Sequence, residues 1–95
     1  MKFTFTWDET KAKANLKNHG LSFDEAASSF YDPNAKVFFD KEHSDLEDRF
    51  LLLGYSEKSR ILMISHCLRQ TEFEIRIISA RKATPKECRN YEVDI

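Results

Sequence analysis

The stretch from Glu72 to Arg89 limits the folds open to this chain more than any other. Glu72-Phe73-Glu74-Ile75-Arg76-Ile77 alternates polar and apolar residues, the period-two signature of a strand with one buried face. Ile78-Ser79-Ala80-Arg81 continues it, and Thr84-Pro85-Lys86-Glu87 then opens a helix. Thr84 supplies a capping hydroxyl, Pro85 suits the first helical position, and Glu87 stands where it can reach back to the cap backbone. Two guanidiniums, Arg76 and Arg81, are thereby carried on or beside a rigid strand. Their planar fork cannot lose its charge, which suits an oxyanion such as phosphate.

Upstream of this stretch the pattern changes several times. Met1 to Trp7 alternates like a strand. Asp8 can cap a helix of about eleven residues that ends at Gly20, a residue type favoured just past a helix end. Ser22-Phe23-Asp24-Glu25 forms a second capping box, and Phe23, Ala26, Ala27 and Phe30 fall on one core-facing stripe. Asp32-Pro33-Asn34 turns the chain. Strands are predicted over 35–40, 49–55 and 60–68, with a charged loop at 41–48 and turns at 56–59 and 69–71. Gly54, inside a strand, marks a bulge or a close backbone approach. The predicted order is β-α-α-β-β-β-β-α. It implies a single domain over 1–95 of the α+β class, an antiparallel sheet with helices packed on one side.

Composition narrows the function classes. The hydrophobic fraction of 41% and charged fraction of 33% fit a folded globular domain. No apolar run approaches the roughly 18 residues of a membrane span, and the first residues lack the apolar core of a secretory signal. Cys67 and Cys88 are too few for a disulfide framework, so a reducing cytoplasm is the expected location. The cysteines and the three histidines show no metal-ligand spacing, and neither a metal nor another cofactor is expected. The net charge of −1 hides a segregation. Residues 1–20 carry four lysines against Asp8 and Glu9, residues 21–48 are strongly acidic, and residues 49–95 carry nine Lys/Arg against six Asp/Glu.

Several blocks resemble a known family. Trp7-Asp8-x-x-Lys11-Ala12-x-x-Asn15 and His19-Gly20-x-Ser22-Phe23-x-Glu25-Ala26 are similar to the opening of the BrnT toxins, the toxin half of BrnT/BrnA pairs. Phe30-x-Asp32-Pro33, Asp40…His43…Glu47-x-Arg49, Gly54 and Arg76-Ile77-Ile78-Ser79-Ala80-Arg81-x-Ala83 follow in family order, with Glu87 and Tyr91 in place. The resemblance implies a RelE-like endoribonuclease toxin that cleaves RNA, arrests translation and is neutralised by a BrnA-like antitoxin, with DNA reached only through that antitoxin. One departure is visible: the family commonly has a lysine before the His-Gly pair, whereas this chain has Asn18 there and Lys17 one place earlier, about 100° around a helix.

Metal-independent RNA cleavage needs a base for the 2′-hydroxyl, an acid for the leaving 5′-oxygen, and cations around the phosphorane. Arg76 and Arg81, then Arg49 and Lys11, are the candidate charge stabilisers. Strict alternation puts Arg76 and Arg81 on opposite faces, so they meet one phosphate only if the strand bulges near Ser79 or Arg81 lies beyond its end. Glu47 and His43, four residues apart in the charged loop, are the leading proton-transfer candidates. His19 reads as a helix C-terminal residue and His66 as a partly buried one. Lys11, Lys17 and Trp7 are candidate RNA contacts, Trp7 by stacking a base. A tryptophan at a strand-to-helix junction is, however, more often core. The alternative to catalysis is a non-catalytic protein-interaction module acting with its partner in a DNA-bound repressor complex.

Overall fold

Caps start and stop the helices where the residue types place them. In the computed structural model, which describes residues 2–93, Asp8 accepts a hydrogen bond from the Lys11 N–H (3.1 Å) and opens α1, Glu9–His19. Gly20 ends it in the left-handed region, at φ 68°. Ser22 accepts from the Glu25 N–H (3.0 Å) and opens α2, Phe23–Ser28, which tightens into a 3₁₀ turn at Ser29–Tyr31. Around them lie β1 (Thr4–Thr6), β2 (Lys36–Phe39), β3 (Phe50–Tyr55), β4 (Ile61–Leu68), β5 (Glu74–Lys82) and α3 (Pro85–Val93). Met1, at the head of the predicted first strand, lies outside the described residues, as do Asp94 and Ile95.

The five strands form one sheet in the order β1-β5-β4-β3-β2. The meander from β2 to β5 is antiparallel throughout. β1 departs from the antiparallel expectation, for it runs parallel to β5 with Thr6 opposite Arg76. No hairpin sets the direction of this first strand, so it takes the edge that β5 leaves open. The inner face of the sheet presents Leu52, Leu62, Ile64, Ile75, Ile77 and Ala80 to Leu21, Phe23, Ala26 and Phe30 from the α1–α2 layer. Each leucine, isoleucine or phenylalanine among them, fully buried, contributes about 1.5–3 kcal/mol.

α3 departs from the one-sided expectation. Its Glu87 meets Arg81, its Tyr91 ring packs on Tyr55, and its Asn90 carbonyl accepts from Lys36. Register puts Arg81, Tyr55 and Lys36 on the outer face with Leu53 and Met63. α3 therefore covers one end of that face and leaves the other end open.

Two buried polar residues and one close backbone approach tie the layers together. Asn15 of α1 is buried beside β5, beyond the end of the short β1. Its Nδ2 donates to the Leu21 carbonyl (3.0 Å) and the Ala80 carbonyl (2.9 Å), while the Ala80 N–H donates to its Oδ1 (3.0 Å). One amide thus completes the strand edge that β1 is too short to pair. Glu25 does not complete the predicted capping box. It is 1% exposed and accepts from Arg60 in a two-oxygen pair and from the Ser56 hydroxyl (2.7 Å). A charge-assisted fork serves a buried carboxylate better than one backbone N–H, and Arg60 above all holds its pKa below the usual value. Gly54 marks a close approach: a Cβ there would lie 3.1 Å from the Ser29 carbonyl oxygen and 3.1 Å from the Ala35 Cβ.

Candidate active site

The open end of the outer face is made by a bulge. Ser65 pairs with Ser79 and His66 with Ile77, so β5 holds one extra residue, Ile78, opposite β4. Alternation resets there. Ile75, Ile77 and Ala80 all point inward, which leaves Arg76, Ser79 and Arg81 on the outer face. The predicted condition for the two arginines to share a face is met by this single inserted residue.

Cys67 sits directly opposite Arg76 and is buried at 2% exposure. Burial first, and then the neighbouring Glu47 carboxylate, push its thiol pKa up, while Arg49 and Arg76 pull the other way. Four side chains from three segments thus converge: Glu47 and Arg49 from the β2–β3 loop, Cys67 from β4, and Arg76 from β5. The loop is held in shape at its neck. The Asp40 N–H donates to the Arg49 carbonyl (2.8 Å), the Ser44 hydroxyl donates to the Asp40 carbonyl (2.6 Å), and the Arg49 N–H donates to Ser44 Oγ (3.0 Å).

Among the described residues the ion pairs are Arg60–Glu25, Arg81–Glu87 and His43–Asp40, and neither Arg49 nor Arg76 belongs to one. The Arg49 Nε is moreover buried without a hydrogen-bond acceptor. A buried, unmatched guanidinium donor is costly. Arg49 as a whole is half-buried beside the half-buried Arg76, and an anion bridging the outer guanidinium nitrogens would be held by both charges.

Arg81 has another task. Its Nη1 and Nη2 donate to Glu87 Oε1 (2.8 Å) and Oε2 (2.9 Å), and Glu87 completes the predicted capping box with Thr84 in both directions (2.8 and 3.2 Å). Five strand positions from Arg76 amount to roughly 16 Å at 3.3 Å per residue. The two arginines share a face but not a phosphate. Arg81, then burial opposing it, then the Thr84 N–H set the Glu87 carboxyl, which is lowered from its ordinary 4.5 to about 2. Such a depressed carboxylate contributes stability that is complete above pH 4.5 and lost as pH falls toward 2. Solvent screens this partly exposed pair, so the contribution is about 1 kcal/mol. Acid titration of thermal stability should therefore show a shallower loss between pH 4.5 and 2 in Glu87→Gln than in the parent. An unchanged slope would contradict the pairing.

The remaining predicted site residues divide. His43 is exposed, with its Nδ1 3.0 Å from an Asp40 carboxylate oxygen, and lines one hollow of about 290 Å³ together with Glu47 and Arg49. Lys11 and Lys17 are exposed on α1, whose Asn15 binds the β5 edge at Ala80. Trp7 packs edge-to-face on Phe23 against the core (centroids 5.8 Å apart), which is the commoner role for a tryptophan at such a junction. His66 is 2% exposed and its ring meets Phe30, and burial lowers its pKa. Sequence reasoning passed over Cys67 and Arg69, both on the Arg76 face. The signal was outward parity counted forward from the inward-facing His66.

Among the described residues, no group of three or more His, Cys, Asp or Glu is placed to hold a metal ion. None of the described helices is long and apolar enough to cross a membrane.

Fold and site together define a small α+β domain that offers an anion a cationic, uncovered end of its sheet. A family model described as "Ribonuclease toxin, BrnT, of type II toxin-antitoxin system" matches residues 7–87. The crystal structure of the Brucella abortus ribonuclease toxin, BrnT, is similar to this chain at 25% identity and a TM-score of 0.63, covering 87% of this chain and 99% of that one. Comparison with curated proteins gave no match. The chain belongs to the BrnT family of ribonuclease toxins of type II toxin–antitoxin systems.

Proposed function

We propose that this chain is a cytoplasmic, metal-independent endoribonuclease that arrests translation and is neutralised by a BrnA-like antitoxin. The observation that carries this reading is the convergence of Glu47, Arg49 and Arg76 around Cys67, with a buried Arg49 donor left unmatched.

In this reading the scissile phosphate of a single-stranded RNA sits between Arg49 and Arg76. Glu47, on the loop that carries Arg49, takes the proton from the 2′-hydroxyl. The 2′-oxygen then attacks phosphorus, and the bond to the 5′-oxygen breaks through a phosphorane with added negative charge. Both guanidiniums hold that charge more tightly in the phosphorane than in the ground state, which is what lowers the barrier. His43, oriented by Asp40 through Nδ1, offers its other nitrogen to protonate the leaving oxygen. The products are a 2′,3′-cyclic phosphate and a 5′-hydroxyl. DNA, lacking the 2′-hydroxyl, is spared. The antitoxin neutralises by covering the arginine face, and DNA is reached only through it. RelE-like toxins are the functional comparison.

Inducing the chain alone in bacteria should halt protein synthesis and shorten RNA. Co-expression of the antitoxin frame should relieve both effects. Continued synthesis with intact RNA, from protein shown to be folded, would overturn the proposal and favour a purely interacting module.

A further inference from the structure

Beside Arg76 the outer face continues into a second feature that the reaction does not use. A cleft of about 310 Å³ lies between β1 and the β4–β5 turn, lined by Thr4, Thr6, Arg69, Gln70, Glu74 and Arg76. Thr4 stands opposite Glu74, and Thr6 opposite Arg76, on the parallel β1–β5 pair. The Arg69 N–H donates to the Glu74 carbonyl (2.8 Å), which places this residue at the head of β5. Arg69 is exposed and belongs to no ion pair among the described residues.

From Arg76 to the Glu74 level the face advances by two residues, roughly 6.6 Å at 3.3 Å per residue. That step is comparable to the distance between successive phosphates of an extended strand. A cleft with a guanidinium at each end, and hydroxyls and a carboxamide between, matches one nucleotide unit: charge for the phosphates, neutral donors and acceptors for the sugar and base edge. Glu74 offers only acceptors and disfavours a further phosphate in the middle.

We infer that this cleft is the subsite for the nucleotide next to the scissile phosphate, with Arg69 on the neighbouring phosphate and Thr4, Thr6 and Gln70 on the sugar and base. The inference rests on the ribonuclease reading. It makes Arg69 a positioning residue: it holds the strand in register over Arg76 and touches no reacting atom.

Binding of a short single-stranded oligonucleotide with 2′-fluoro in place of every 2′-hydroxyl tests the subsite separately from cleavage, because this ligand lacks the attacking group. Arg69→Gln should weaken binding about fivefold or more and reduce the slope of log K against log salt by about 0.7, the loss of one phosphate contact on a single strand. Lys58→Gln, which removes an exposed cation at the far β3–β4 turn, should change neither quantity. Equal affinity and slope in Arg69→Gln and parent would overturn the subsite, and so would equal losses in both variants. RNA cleavage by the parent is measured alongside. Cleavage with no Arg69 dependence of binding removes the subsite and leaves the ribonuclease. Arg69-dependent binding without any cleavage removes the ribonuclease and, with it, the scissile register assigned to the cleft.

Discussion

Arg76→Ala is expected to slow RNA cleavage by about 10²–10³-fold, the usual loss when one preorganised donor to a developing oxyanion is removed. The folded state should survive the change. Arg76 is half-buried on the outer face, takes part in none of the ion pairs among the described residues, and lies outside the main core cluster. Its removal leaves no carboxylate stranded. Thermal unfolding of the variant should therefore stay within a few degrees of the parent, since about 1 kcal/mol moves the midpoint of a domain this size by 4–8 °C. Arg76→Lys keeps the charge but loses the planar fork, and should recover only part of the rate. Single-turnover cleavage beside a melting curve gives both readings. Cleavage at the parental rate would remove Arg76 from the reaction, and collapse of the fold would make it a structural residue.

The largest loss of stability is expected from Asn15→Leu. Leucine fills a similar volume but leaves the Ala80 N–H, the Ala80 carbonyl and the Leu21 carbonyl without the partners that one amide now supplies. Each buried polar group left unmatched costs about 1–3 kcal/mol. Water entering from the end of β1 would offset part of this, so the net loss should be about 3 kcal/mol. The melting midpoint should then fall by about 12–24 °C. Asn15→Asp keeps an acceptor for the Ala80 N–H but turns oxygens toward two carbonyls, and should be no better. A leucine variant that melts within a few degrees of the parent would show that the Ala80 edge finds other partners.

These two residues also mark how far the sequence can be read. The caps were legible, because Asp8, Gly20, Ser22, Thr84 and Pro85 act on their own turns of chain. The meander from β2 to β5 was legible too, since short turns leave hairpins as the simplest connection. Asn15 was visible only as a member of the family-like Trp7–Asn15 block, with no role attached, since its role depends on β1 stopping at Thr6, far along the chain from the strand Asn15 serves. The parallel pairing of β1, the placement of α3 on the outer face, and the turning of Glu25 toward Arg60 are likewise long-range outcomes.

The candidate site follows the same division. Alternation alone set Arg76 against Arg81 and named the remedy, a bulge near Ser79. Only the register with β4 shows that Ile78 supplies it. The same register shows why sharing a face is not enough, for Glu87 engages Arg81 while Arg76 stays unpaired among the described residues. Arg49 was reached through family resemblance, and Glu47 through that and its four-residue spacing from His43. The closure of their loop by Asp40 and Ser44 could not be read from a run of charged residues. Lys11 and Lys17 stand exposed on α1, an element that carries none of the site arginines.

The most direct test of the central claim is incubation of the purified chain with single-stranded RNA in the presence of a strong metal chelator, followed by analysis of the product ends. The account predicts fragments ending in 2′,3′-cyclic phosphate and 5′-hydroxyl, no cleavage of the same sequence made with 2′-deoxyribose, and loss of cleavage in Arg76→Ala. Intact RNA from folded protein would contradict it, as would cleavage that the chelator abolishes.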